Sequence, residues 1–237
     1  MNISARAPDY ALLDNPIWNS LVTGHAPFAV GGSLARRYRP EIGPLSGVRE
    51  VSAEALAELA SIVPVGDVAV LFLEERIQFP PGWQVVRDGT LVQMLCAAEP
   101  SEPELAERIE PLGPADFAEM VALATLTEPG PFRDGTATLG GFVGVRVDGR
   151  LAAMAGRRLS PTGFAEVSAV CTHPEFRGRG LARALVAAVS RKIFAAGLTP
   201  FLTSLEANAG AIRVYEQVGF TIRRRFELAV VKPPIKG

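Results

Sequence analysis

Val170-Cys171-Thr172-His173-Pro174-Glu175-Phe176-Arg177-Gly178-Arg179-Gly180-Leu181-Ala182 reads as a strand end, a proline-bearing turn and a helix opened by two glycines. Such a helix start aims free backbone N–H groups and the positive end of the helix dipole outward, which makes it a ready anion site. Glycine at 178 and 180 lets the backbone come close to a bulky phosphate, and Arg177 and Arg179 add charge. A dinucleotide fingerprint, G-x-G-x-x-G, would need glycine at 183, where Arg183 stands, and no P-loop G-K-[ST] follows.

Outward from this turn the pattern is regular. Phe164 to Cys171 is a strand with apolar residues on both faces. Leu181, Leu185, Val189 and Ile193 form one face of an amphipathic helix over 180–196, closed by Gly197. Pro200 to Leu205 is a strand, Ala209 to Val218 a helix ended by Gly219, and Phe220 to Val231 a long final strand. Upstream, Glu107 to Leu112 is a first strand. Pro114 and Asp116 then start a helix to about Thr125, and Thr127-Glu128-Pro129-Gly130-Pro131 breaks it. Asp148-Gly149 joins Phe142–Val147 to Leu151–Leu159 as a hairpin.

Arg177, Gly180 and Ala182 match R-x-x-G-x-A, which resembles the pyrophosphate-binding motif of the GNAT superfamily of N-acetyltransferases. Asn208 through Tyr215 to Gly219-Phe220 looks like that superfamily's second signature. Together, in this order, the two are specific. The resemblance covers about residues 105–237; over 1–104 there is a likeness to N-terminal halves in the glycine N-acyltransferase-like branch. It implies an α/β (α+β) fold with a mixed, mostly antiparallel sheet flanked by helices and splayed where acetyl-CoA enters.

The resemblance also implies roles. Val170, Cys171 and Thr172 would offer backbone groups to the pantetheine arm and thioester. The turn Arg177, Gly178, Arg179, Gly180, Leu181, Ala182 and Arg183 would hold the pyrophosphate, and Asn208 would bond the pantetheine. Tyr215 would face the sulfur; with an ordinary pKa of ~10 it can protonate a departing thiolate. Strand alternation puts Glu166 on a face with Ser168 and Val170, so Glu166 is a candidate base; its alternative is a carboxylate at the strand start facing solvent or pairing with an arginine. Thr127 to Phe132 sits where the superfamily places its acceptor loop, or is a plain helix-ending loop. The function implied is transfer of an acetyl group from acetyl-CoA to the amine of a small molecule or peptide through a ternary complex. The rivals are a non-catalytic acyl-CoA-binding module and O-acyl transfer. A homodimer stays open as the assembly.

The polar, proline-bearing run Glu99-Pro100-Ser101-Glu102-Pro103-Glu104 suggests a linker. Residues 1–104 would then be an N-terminal α/β domain, one reading of which is a degenerate GNAT-like unit, and 105–237 the acetyltransferase domain. In the first half Val68 to Leu73 is a buried strand, Ser52 caps a helix through Ala60, and Asp88-Gly89 suggests a hairpin between 83–86 and 91–96.

Apolar content of 48% in 237 residues supports real cores, and a net charge of -1 gives no electrostatic case for nucleic acid or an anionic membrane. Two cysteines in apolar runs read as buried thiols, not nucleophiles or a disulfide framework, and His25 and His173 are too far apart for a metal cluster. The opening residues lack the apolar core of a signal peptide, so a cytoplasmic protein without metal is expected. Arg223-Arg224-Arg225 alternates faces if it lies on a regular strand, with one arginine available for the cofactor's 3′-phosphate.

Overall fold

In the computed structural model, which describes residues 9–234, the N-terminal half begins with α1 (Pro16–Val22), whose first position is the proline that suits it. A small antiparallel sheet of β1 (Ala29–Gly31), β2 (Ala35–Tyr38) and β3 (Ser46–Val48) follows. Then come α2 (Ala53–Ile62), β4 (Ala69–Leu73) and β5 (Gln84–Cys96). Ser52 caps α2 as its residue type suggests, its Oγ accepting from the Ala55 N–H at 3.1 Å.

The second half runs β6 (Ile109–Pro111), α3 (Phe117–Thr127), β7 (Val143–Val147), β8 (Arg150–Arg157), β9 (Phe164–Thr172), α4 (Leu181–Ala195), β10 (Thr199–Leu205), α5 (Ala209–Val218) and β11 (Phe220–Lys232). Asp148 and Gly149 turn β7 into β8 with φ of 50° and 77°, the positive angles a two-residue hairpin loop needs. Asp116 accepts from the Gly113 N–H at 2.8 Å and fixes the entry to α3.

Eight strands form one sheet in the order β4-β11-β5-β10-β9-β8-β7-β6. Every neighbouring pair is antiparallel except β9–β10. This is the mixed, mostly antiparallel α/β fold. Successive strand residues serve different cores: Ala153 packs with Leu185 and Val189 under α4, whereas Met154 packs with Met120 and Leu123 under α3. On the α3 side, farther along the sheet, Ile17 and Leu21 of α1 cover Phe164, Phe201 and Phe226.

Three sequence expectations change. The Asp88-Gly89 pair does not turn the chain; 84–96 is one strand because β11, equally long, offers it a continuous partner. The segment 99–104 is a crossing between halves that share a sheet, since β4 and β5 from its N-terminal side pair with β10 and β11. Alternation also fails at Arg223, where the β5–β11 register slips, so that Arg223 and Arg224 both bind Asp14, at 2.7 and 2.8 Å. Arg225 pairs with Glu206 at 2.7 Å, so all three arginines meet acids. Among the described residues no helix is long and apolar enough to cross a membrane, and no cluster of His, Cys, Asp and Glu could hold a metal.

Candidate active site

Strands β9 and β10 pair only over Phe164–Glu166 and Thr199–Phe201, then part. Two local features drive the separation. On β9, the register against β8 slips between Met154 and Gly156, and Ala169 adopts φ 50°, an uncommon value for a side chain-bearing residue. On β10, pairing with β5 continues through Leu205 and pulls that strand the other way. The gap opens into a cavity of about 820 Å³. Val167–Thr172 line one wall and Thr203–Leu205 the other. Among the described residues, the hydroxyls of Thr172 and Thr203, one on each strand, are buried without a partner. Such groups suit a guest bearing amides.

The rim of the cavity is the start of α4. Gly178 and Gly180 have φ of 80° and 76°, so both positions require the left-handed region that glycine enters without cost. A Cβ at either would meet nothing within 4 Å, so the glycines are there for the backbone angle and open space faces them. Among the described residues no side chain caps α4, an arrangement in which the first N–H groups can meet a ligand. Arg177, Gly178, Gly180, Leu181, Ala182 and Arg183 line the cavity; Arg179 does not, its guanidinium lying 5.3 Å from the Phe176 ring centroid.

α5 closes one side. Asn208 caps it, Oδ1 accepting from the Ala211 N–H at 3.2 Å, and also lines the cavity. Tyr215 lines it one turn and more farther on, packed against the core of α4; burial pushes its phenol up to about 12, against the pull of Arg158. Cys171 is buried and its thiol is pushed up to about 11 by desolvation, so it stays protonated and is no nucleophile. His173 is a turn residue whose Nδ1 accepts from the Glu175 N–H at 3.3 Å.

Glu166 does not face the cavity. Its side chain is fully buried and holds Arg158 in a bidentate pair, Nε at 2.8 Å and Nη2 at 2.9 Å. Arg158, and not Glu166, is among the lining residues, with Nη1 3.8 Å from where a Cβ on Gly130 would be. Both carboxylate oxygens are turned to the Arg158 guanidinium and away from the cavity in which an amine would sit. Alternation alone could not separate these outcomes, because the arginine lies on the neighbouring strand's end.

A family model described as FR47-like protein matches residues 142–228. A GNAT-family acetyltransferase from Novosphingobium aromaticivorans is 42% identical, over 94% of this chain and 99% of its own, with a TM-score of 0.85. The chain belongs to the GNAT family of acetyltransferases. A GCN5-related N-acetyltransferase from Kribbella flavida shares the fold at 19% identity and a TM-score of 0.60, covering 90% of this chain and 93% of its own. A GNAT-family acetyltransferase from Colwellia psychrerythraea does so at 16% and 0.52, covering 87% of each. No curated protein matches the sequence. GNAT enzymes are acyl-CoA-dependent and take their acetyl group from acetyl-CoA, a cosubstrate with a diphosphate and an amide-bearing arm. An uncapped helix start beside two arginines, leading to a gap with two unpartnered hydroxyls, fits both parts.

Sequence reasoning missed three contributors: Arg158, Arg87 and an apolar wall of Leu45, Val70, Phe72, Leu91, Leu228 and Val230, all on the same cavity; Glu128, in the 127–132 segment expected to be an acceptor loop or a plain helix-ending loop, lines it too. Glu128 carried a signal, a side chain where a helix ends before a proline. The wall carried none, since only the long-range pairing of β4, β5 and β11 assembles it.

Proposed function

We propose that this GNAT chain moves the acetyl group of acetyl-CoA to the primary amine of a small molecule or peptide by direct attack within a ternary complex. The observation that carries the reading is one cavity that joins the uncapped start of α4 to Tyr215 across the splayed strands. The amides of 178–183 would hold the diphosphate, with Arg177 and Arg183 beside it. Asn208 would donate Nδ2 to the arm while its Oδ1 caps α5. Val170–Thr172 line the gap next to the bulge at Ala169, and a backbone N–H there would meet the developing oxyanion, a contact often worth ~3 kcal/mol. Tyr215, neutral at every physiological pH, would give the sulfur its proton. Glu166 serves as the residue that holds Arg158 in the cavity wall.

The division near 104 becomes one of labour: the first half supplies cover and two strands, the second the cofactor rim. We assign the chain to the glycine N-acyltransferase-like branch on the likeness of its first half, and to the cytoplasm on its free buried thiols. Thiol release from acetyl-CoA, followed with a panel of primary amines, tests the reading. Acceleration by at least one amine supports it. Tight CoA binding with no acceleration by any amine would favour a binding module.

A further inference from the structure

The cavity reaches both faces of the sheet. Its cofactor rim belongs to α4 and α5, which pack on the sheet through Val92, Met94 and Leu202. Its apolar wall lies on the opposite face, where Val70 stands across from Val230 and Phe72 across from Leu228, with Leu45 and Leu91 in the same core as α1. A molecule resting on that wall meets the gap between β9 and β10 from the side away from the cofactor. That is the approach a nucleophile needs for direct attack.

The charges along the cavity narrow what it can be. Among the described residues lining it, Glu128 has the one carboxylate, against Arg87, Arg158, Arg177 and Arg183. The Glu128 side chain has no hydrogen-bond or ion-pair partner among them. Its backbone is held at φ 46°, ψ 55° at the end of α3, directly before Pro129. Glycine is the usual residue at such a left-handed helix end, and a residue before proline avoids helical angles. Backbone strain of this kind gathers at functional sites. A carboxylate kept there at conformational cost, free and facing the cavity, can take a proton from an ammonium. A polycation would need several carboxylates and would meet unpaired Arg87.

Resting on the acetyl-transfer reading above, we propose that Glu128 and the apolar wall form the acceptor subsite, and that the acceptor is an amine with a single ammonium on an apolar body. Glu128 removes one proton from the ammonium, and the freed lone pair forms the C–N bond to the thioester carbon. The C–S bond breaks with its electrons on sulfur. The sulfur takes the proton from Tyr215, which recovers it from the nitrogen as the amide forms.

The test is thiol release from acetyl-CoA by the full chain with ethylamine, butylamine, hexylamine and spermidine. The kcat/KM should rise about two- to fourfold per methylene, with spermidine at least about tenfold below hexylamine. Glu128→Gln should lower kcat/KM for hexylamine by about 10²-fold. Val230→Thr, the same shape with a hydroxyl, should flatten the chain-length gradient. A flat gradient, spermidine as the best acceptor, or a fully active E128Q overturns this subsite while acetyl transfer stands. A gradient that appears with hexanoyl-CoA over acetyl-CoA, and not among amines, gives the wall to the acyl chain and also overturns it. No release with any amine, CoA still binding, overturns the acetyl-transfer reading itself.

Discussion

The proposed donor and acceptor sides of this cavity are built in different ways. The donor side is a short run of backbone: two left-handed glycines and the uncapped first turn of α4, all within Arg177–Arg183. The acceptor side is made of side chains brought from distant places. Arg158 is held by Glu166, Glu128 sits at the end of α3, and the apolar wall comes from β4, β5 and β11. A local backbone device survives most side-chain changes. A long-range assembly stands only if the whole sheet is paired. Substitutions on the acceptor side should therefore cost stability as well as activity, and those on the donor side mainly affinity.

The largest expected effect follows from the buried pair. Glu166→Leu strands the Arg158 cation, and should destabilise the fold by about 3–5 kcal/mol in urea unfolding. Adding Arg158→Met should recover most of that loss, since apolar replacement of a whole buried pair is close to neutral. An E166L chain as stable as the parent would break the comparison.

Next is the clamp of the N-terminal half. His25 Nδ1 meets the Tyr38 hydroxyl at 2.8 Å, Tyr38 meets Ser20 at 3.1 Å, and Ser20 accepts from the Ser160 N–H at 2.8 Å. Burial, helped by Arg157, lowers the His25 pKa from 6.5 to about 4. The unfolded chain takes the proton first, so this stability is present above pH 6.5 and is lost as pH falls towards 4. The loss is at most about 3 kcal/mol, and His25→Gln should flatten that slope in unfolding curves at pH 7 and pH 5.

Tyr215→Phe should lower kcat about 10- to 100-fold with CoA affinity nearly unchanged; kcat equal to the parent's removes Tyr215 from the acid role. Because its phenol titrates near 12, it should place no alkaline limb on the rate below about pH 11. The smallest effect is on the donor side. Gly180→Ala has room for its Cβ but must hold φ 76°, at about 1–2 kcal/mol, and should weaken CoA binding several-fold by calorimetry, with the urea midpoint lowered by no more than that strain when CoA is absent.

The same contrast explains what could be read from the chain. The glycine turn, the helix faces of α4 and α5 and the Asp148-Gly149 hairpin are local, and each residue's own preference agrees with its place. Asp88-Gly89 carries the same hairpin signal, yet a long partner strand overrides it. Glu166 was legible as a residue on a cleft-lining strand but not as Arg158's partner, because that pairing spans two strands and a turn. The shared sheet across 99–104 has no local signature at all, since strand pairing between halves is decided by packing.

Thiol release from acetyl-CoA in the presence of primary amines remains the most direct measurement of the central claim. An amine-dependent release with N-acetylated product, slowed about 10- to 100-fold in Tyr215→Phe and weakened in affinity by Gly180→Ala, is the predicted result. Tight CoA binding with no release above the hydrolytic background for any amine would contradict it.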